Sequence, residues 1–359
     1  MKVIKPDSLI NLRACQVCDS KKILRIFRRK KFKQLKRNIY QFDFDNFFCS
    51  NCNFIFSKKF PTDKFLKKYY EEYPVYFEKL EPKTVKIRLS FLKNIDKEKK
   101  ILLIGETDSY LIKKIKNSFL RTRLCNVKTL IKLRERFDVI FCYMVLEHVG
   151  DIKKFIKKIN QISNHKCKLF LGVPDSYNYF NSSFEGEHLC HFDKNNLKLF
   201  LQRYYGEVSF KKKTRNDDIS VISEKNKKKS NFLEKGPNLY NYYLLKHNNL
   251  ENEYKKIINK LNKYNIIGIM PANQIAIDIL SEFKKKIFIF DKFKKAEIEK
   301  ETGQINGKFM GHEIYDYNNT QQLLKCEVLL VTKSRYQNKI FSFVQNITHN
   351  SVKIIKMKN

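Results

Sequence analysis

A chain of 359 residues, 42% hydrophobic and 14% aromatic, has room for two or three domains and is too apolar to be disordered throughout. It contains no run of about 18 apolar residues, and Met1–Arg13 lacks an apolar leader core, so the expected compartment is the cytoplasm. The formal charge of +36 would attract nucleic acid, anionic membranes or phosphorylated substrates, but only 13 of the 73 basic residues are Arg, and a Lys-, Asn- and Ile-rich composition also fits an AT-rich genome.

Residues 12–58 hold two C-x2-C knuckles, Cys15-Gln-Val-Cys18 and Cys49-Ser-Asn-Cys52. Each knuckle turns tightly enough to aim two sulfurs at one ion. Two of them complete a tetrahedral thiolate site that suits structural Zn²⁺ and leaves no open position for catalysis. A redox pair or an iron–sulfur cluster is the alternative. Thirty residues separate Cys18 from Cys49, long for a zinc ribbon, and the basic run Arg28–Arg37 lies between them. The other five cysteines (Cys125, Cys142, Cys167, Cys190, Cys326) are scattered in apolar surroundings and read as core residues. Nine cysteines without an export signal argue against a disulfide framework.

Residues 61–97 read as a helical connector. Residues 98–222 alternate short apolar runs with amphipathic segments, the pattern of parallel α/β layers. Strands are expected at Ile101–Ile104, Asp138–Tyr143 and Lys168–Val173, and helices at Ile152–Ile162 and Asn195–Tyr204, the second capped by Asp193. Glu135 is expected in a helix. A Lys/Asn-rich linker with helix (223–263) leads to a second α/β pattern over 264–359, with strands at Ile266–Ile269, Ile287–Asp291 and Glu327–Val331.

Several segments carry a family resemblance. CSNCNFIFSKKFPTDKFLKKYYEEYPVYF (49–77) resembles the join in zinc-ribbon-fused methyltransferases. ILLIGETDSYLIKKI (101–115) resembles the glycine loop that opens the class I S-adenosylmethionine (SAM)-dependent methyltransferase fold, especially in the sugar C-methyltransferases. FDVIFCYMVLEHVGDIKKFI (137–156) resembles that fold's fourth strand and following turn, LFLGVPDSYNYF (169–180) its fifth strand, and EGEHLCHFDKNNLKLFL (185–201) the Glu-His segment of the same enzymes. The resemblance implies an α/β chain of three parts: a four-cysteine zinc ribbon, a Rossmann-like methyltransferase core and a C-terminal Rossmann-like domain. It further implies SAM bound near Gly105, Asp108, Glu147 and His148, with His188 as base and Glu187 as its partner. A structural turn with surface histidines is the alternative for His188, and a structural role is equally open for Glu147 and His148. Phe184, Tyr177 and Tyr179 line a cleft or pack inside.

The core departs from the family in three places. Ser109 replaces the second loop glycine. Only 25 residues (112–136) separate Leu111 from the fourth strand. The acid that grips the ribose hydroxyls should lie near Cys125, about 20 residues past the loop, where the sequence reads RTRLCNVKT. In the C-terminal part, Asp291 ends the second strand where a ribose-binding acid would sit, but the loop after Gly268 lacks the second and third glycines a dinucleotide needs. The expected function is therefore methyl transfer from SAM to a sugar or nucleotide-sugar. The alternatives are a non-catalytic relative that binds carbohydrate or protein, and a nucleic-acid-binding zinc ribbon. Nucleic acid is not the expected partner.

Overall fold

The computed structural model describes residues 2–35, 38–72, 80–106, 108–177, 188–211, 218–225 and 238–272, and in the C-terminal part 276, 279–280, 283, 285–291, 308–309, 312–332 and 337–357. The chain opens with strands β1 (Lys2–Ile4), β2 (Leu9–Asn11), β3 (Ile23–Leu35), β4 (Asn38–Cys49), β5 (Ile55–Ser57) and β6 (Lys59–Pro61), followed by helices α1 (Asp63–Glu72) and α2 (Pro82–Ser90). The long spacing between the knuckles is one antiparallel hairpin: β3 and β4 pair from Ile23↔Cys49 to Leu35↔Asn38. A hairpin returns the chain to where it left, so its length does not move the second knuckle away from the first. Arg28 to Leu35 belong to β3, and Arg37 lies outside the described residues.

The core follows as β7 (Lys100–Ile104), α3 (Ser109–Ser118), β8 (Arg121–Cys125), α4 (Val127–Leu130), β9 (Phe137–Tyr143), a 3₁₀ turn (Leu146–His148), α5 (Ile152–Gln161), β10 (Ser163–Pro174), β11 (Cys190–His191), α6 (Lys194–Tyr204), β12 (Gly206–Phe210) and β13 (Asp218–Lys225). Its sheet has the order β12-β13-β10-β9-β7-β8. Strands β8, β7, β9 and β10 are parallel, and β13 and β12 run antiparallel to their neighbours. Sequence dictates the layers. β7 and β9 are near-continuous apolar runs because helices cover both faces of a parallel sheet. In α5, Ile152, Phe155, Ile156 and Ile159 recur at helical spacing and are buried, while its lysines face out. Asp193 caps α6 by accepting from the backbone N–H groups of Asn195 and Asn196.

The short stretch before β9 has a structural outcome. Residues 112–136 accommodate the rest of α3, β8 and the four-residue α4, so β8 is the sheet edge and no further strand lies beyond it among the described residues. Glu135 is not helical, contrary to the sequence expectation. It sits in the run into β9 and pairs with Lys100 and Arg123, tying the start of β7 to the middle of β8.

Ribbon and core share one interior. A single apolar cluster runs from Cys15, Tyr40 and Phe56 to Leu102, Ile140 and Phe200. The ribbon sheet takes in β11 from the core, with Cys190↔Phe56 and His191↔Ile55. The long helix α7 (Tyr240–Leu261) lies on β3, where His247 stacks on Phe27 at 4.5 Å. Beyond it come β14 (Ile266–Met270), β15 (Lys286–Asp291), β16 (Lys308–Phe309), β17 (His312–Asp316), α8 (Thr320–Leu323), β18 (Val328–Val331), α9 (Gln337–Thr348) and β19 (Lys353–Lys356). They form a second six-stranded sheet, β16-β17-β15-β14-β18-β19, parallel except at β16. The chain is thus a mixed α/β protein with two Rossmann-like sheets. All five scattered cysteines are buried. No helix among the described residues is long and apolar enough to cross a membrane.

Candidate functional site

The four knuckle cysteines come together. Their ligand atoms lie within 4.8 Å of one another, with Cys15 Sγ 3.6 Å from Cys52 Sγ and Cys18 Sγ 3.5 Å from Cys49 Sγ. Zn–S bonds of about 2.3 Å in a tetrahedron give sulfur–sulfur edges of about 3.8 Å, so this donor set fits a structural zinc ion. Hydrogen bonding to Cys15 brings Cys18 down to about 7 and Cys49 lower still, whereas burial pushes Cys15 up and the neighbouring sulfurs, Cys15 first, push Cys52 up. Four thiols this close need a cation to ionise together.

Gln16, inside the first knuckle, joins this cluster to the core. Its side-chain N–H donates to Gly150 O at 2.7 Å, and its carbonyl accepts from Ile152 N–H at 2.9 Å. Arg203 of α6 reaches back to Val17 O and to Asp19, which Lys153 also pairs. Gly150 lets Phe60 of the ribbon pack against the turn, because a Cβ there would lie 2.3 Å from the ring.

Topology locates the crevice. β7 and β9 are neighbours in the sheet, but the chain leaves β7 toward β8 and leaves β9 toward β10. Their carboxyl ends therefore flank a topological switch point, where open α/β sheets bind ligands. Gly105 closes β7 there. It is exposed and has φ +69°, and a Cβ would lie 2.6 Å from Val145 Cγ2 across the crevice. Both the left-handed backbone and the neighbour demand glycine. Asp108 is buried, and its two oxygens accept from Leu111 N–H (2.6 Å) and Leu80 N–H (2.7 Å). It caps α3 and pins the connector, so its visible task is holding the loop. Ser109 opens α3 at the position of the missing second glycine.

Two residues the sequence reading passed over sit beside this loop. Arg88 of α2 and Glu106 form a buried ion pair at 2.9 Å, with side chains 4% and 9% exposed. The Arg88 guanidinium also lies over the Tyr143 ring at 4.4 Å. The available signal was an Arg among apolar residues of a short helix followed by an acid right after the loop glycine. At the end of β8, the position expected to carry a ribose-binding acid, Asn126 forms a capping box with Thr129.

The other wall is the turn after β9. Met144 takes a left-handed φ of 52°, a costly conformation for a residue with a Cβ, and sits at the strand end facing the crevice. The 3₁₀ turn then presents Glu147, buried, and His148, partly exposed. His188 arrives from far along the chain. Its ring meets that of His148 edge to face at 4.7 Å, and ligand atoms of Glu147, His148 and His188 lie within 4.8 Å of one another. Leu189 N–H donates to Glu147 O at 2.7 Å, and Leu189 O accepts from Ser57 N–H of the ribbon, so the residue after His188 is tied to both the turn and the ribbon. Burial keeps His191 neutral by pulling its pKa well below the usual range. Glu187, Phe184 and Tyr179 lie outside the described residues. Tyr177 is 46% exposed and stacks on Tyr242 at 4.9 Å.

The C-terminal sheet has a corresponding switch point between β14 and β18, and there the ladder runs one residue past the strands. Thr332 N–H donates to Met270 O at 2.8 Å, and Asp291 Oδ2 accepts from Ala272 N–H at 2.9 Å. Asp291 thus fastens the loop after β14, the position where the sequence suggested a ribose-binding acid.

Residues 63–205 match the Methyltransferase domain family. Partial structural matches include the CurJ carbon methyltransferase (11% identity, 40% of this chain and 54% of that chain, TM-score 0.30). They also include a SAM-dependent methyltransferase from Archaeoglobus fulgidus (12%, 40% and 92%, TM-score 0.30). A third is the N-methyltransferase NodS from Bradyrhizobium japonicum WM9, in complex with S-adenosyl-L-homocysteine (12%, 40% and 83%, TM-score 0.30). The chain spans about half the length of the CurJ protein it matches. No curated protein matches the chain.

Proposed function

We propose that this chain is a SAM-dependent methyltransferase acting on a sugar or nucleotide-linked sugar, with a structural zinc ion in its ribbon. The observation that carries the reading is one conjunction. At the β7/β9 switch point the exposed turn at Gly105 faces the turn bearing Glu147 and His148, with His188 beside it, inside the segment that matches the methyltransferase domain family.

The residues present fit SAM at one end. The open backbone at Gly105 and the start of α3 suit its methionine part. The ribose end lacks the family's carboxylate, since Cys125 and Asn126 stand there. When bound, the cofactor supplies an electrophilic methyl group. The chain's own residues supply orientation and proton handling. His188 takes the proton from the acceptor's hydroxyl or acidic carbon, a task that suits a group with a pKa near neutral. The carboxylate of Glu147, close to both histidines, stabilises the imidazolium formed. Glu187 is proposed for the same task from its place next to His188 in sequence. The sugar assignment draws its support from the resemblance of residues 185–201 to the sugar C-methyltransferases.

Calorimetric titration of SAM into protein carrying one equivalent of zinc, in its ribbon, tests this, followed by assay of S-adenosylhomocysteine release with nucleotide-sugars. Micromolar binding by wild type and His188→Ala, with turnover in wild type alone, is expected. Folded protein that does not bind SAM would overturn the proposal. The absent ribose carboxylate favours one second reading, a non-catalytic relative that binds carbohydrate or protein; it predicts ligand binding with no methyl transfer to any acceptor.

A further inference from the structure

The cluster of Glu147, His148 and His188 has a chemistry of its own. We infer that it is a second metal site, distinct from the zinc ribbon, which takes a divalent transition metal ion on one carboxylate oxygen and two imidazole nitrogens. The argument rests on donor set, geometry and support. Two histidines and a carboxylate form the ligand set of open zinc sites and of mononuclear non-haem iron(II) sites, which leave positions free for water or a substrate oxygen. The four-thiolate ribbon is closed. Three ligand atoms within 4.8 Å of one another, with Glu147 Oε1 and His148 Nε2 3.9 Å apart, surround a point within about 2.8 Å of each. Contraction to metal bonds of about 2.0–2.2 Å moves each atom by about 0.7 Å or less, within the reach of small side-chain rotations.

The three ligands are also held for the purpose. Glu147 and His148 share one 3₁₀ turn, anchored at Met144 N–H to Gly172 O (2.9 Å) and at Gly150 to Gln16. His188 is fastened to that turn through Leu189 N–H to Glu147 O, and to the ribbon through Leu189 O. Backbone bonds on both sides of a donor cluster reduce the ordering a metal would otherwise impose. Glu147 is 2% exposed in its side chain and His148 26%. The carboxylate is therefore the inner ligand and the imidazoles are the more exposed ones. The anionic ligand offsets the charge of the cation in a chain that is otherwise strongly basic.

The inference stands without methyl transfer. Its consequence for that activity is definite, because a bound metal occupies the ring nitrogen that His188 needs for proton abstraction, so metal loading slows any reaction in which His188 is the base.

The test is titration of Co²⁺ into full-length protein whose ribbon is already zinc-loaded, with total metal measured after desalting. One further equivalent is expected, with visible d–d absorption and without the thiolate charge-transfer band that cobalt in the ribbon would give. His148→Ala and His188→Ala should each remove that equivalent while the ribbon zinc is retained. Both are partly exposed residues, so these variants keep the test valid if the buried Glu147→Gln fails to fold. Wild type that holds only the ribbon metal, or a second equivalent that survives both histidine substitutions, would overturn the inference.

Discussion

The core sheet and the C-terminal sheet each have six strands, and in each a glycine marks the strand beside the switch point, Gly105 just past the end of β7 and Gly268 within β14. The two glycines do opposite work. Gly105 lies past the strand end, exposed, at φ +69°, where it opens the switch point. Gly268 lies inside β14 and admits neighbouring side chains, since a Cβ there would lie 2.4 Å from Leu329 and 3.0 Å from Cys326. The acids differ too. Asp291 fastens the C-terminal loop, and Thr332 N–H extends the β14–β18 ladder to Met270 O. In the core the turn after β9 carries Glu147 and His148, and His188 joins them from the segment before β11. A shared architecture thus places different side chains at the two switch points, and fold alone does not assign function.

The largest expected effect separates the two sheets by their dependence on zinc. Structural zinc contributes roughly 10–16 kcal/mol in small ribbon-like domains. Here the ribbon shares its interior with the core, contributes β5 to the pairing of β11 and holds Gly150 and Ile152 through Gln16. Chelation, or Cys49→Ser, should therefore release the amides of β5, β11 and the Glu147–Ile152 turn while β14, β15 and β18 keep their protection. Hydrogen-exchange mass spectrometry reads this directly. Equal loss in both sheets would show one cooperative unit and erase the contrast.

The next effect is catalytic. His188→Ala should lower methyl transfer by about 10²–10⁴-fold, the range for removal of a general base. Stability should change by less than about 1 kcal/mol, because the residue is partly exposed on an irregular segment. A matching substitution at the C-terminal switch point, Thr332→Val, should leave turnover unaffected and report only in denaturant unfolding.

The glycines come third. Gly105→Ala meets both the positive φ and the Val145 methyl at 2.6 Å, for about 2–3 kcal/mol of destabilisation. Adding Val145→Ala relieves the contact and leaves the backbone strain of about 1–2 kcal/mol. Gly268→Ala costs about 1–3 kcal/mol by overpacking alone. Only the Gly105 variants should also weaken SAM binding. If Gly268→Ala weakens it equally, the two crevices are not independent.

Much of this contrast is legible in the sequence, because the strands of both sheets that read clearly are the ones buried on both faces. β7, β9, β10, β14, β15 and β18 are apolar runs with turn signals at their ends. The doubled C-x2-C spacing announces the thiolate cluster. β8 escapes because RTRLC is an edge strand that exposes two arginines and a leucine, so neither alternation nor apolarity marks it. The hairpin of β3 and β4 hides behind a basic run that reads as a solvated segment. β11 has two residues, and only the pairing of distant strands reveals it. The same limit applies to the site. His148 and His188 carry local motifs, but that Glu147 stands beside both is set by the fold, through the Leu189 N–H bond to its carbonyl. The roles of Gln16 and Asp291 depend likewise on partners far away or across a sheet.

The smallest expected effect asks whether the core switch point takes a nucleoside. In the core the strand beside the glycine strand ends in Cys125 and Asn126, so no carboxylate waits for a ribose there. Asn126 accepts from Thr129 N–H as the N-cap of α4, and Asp caps a helix as well as Asn does, so Asn126→Asp should leave thermal stability within about 0.5 kcal/mol of wild type. If the crevice binds SAM through its adenosine end, the restored carboxylate accepts the ribose hydroxyls and tightens binding about tenfold, which corresponds to about 1.4 kcal/mol. If the core holds a ligand without a ribose, the substitution changes nothing at equilibrium, and the departure at β8 is a change of ligand rather than a weakened version of the family's site. Paired calorimetric titrations of SAM and of a nucleotide-sugar into this variant separate the two cases, since only the first moves SAM affinity and leaves the acceptor's unchanged.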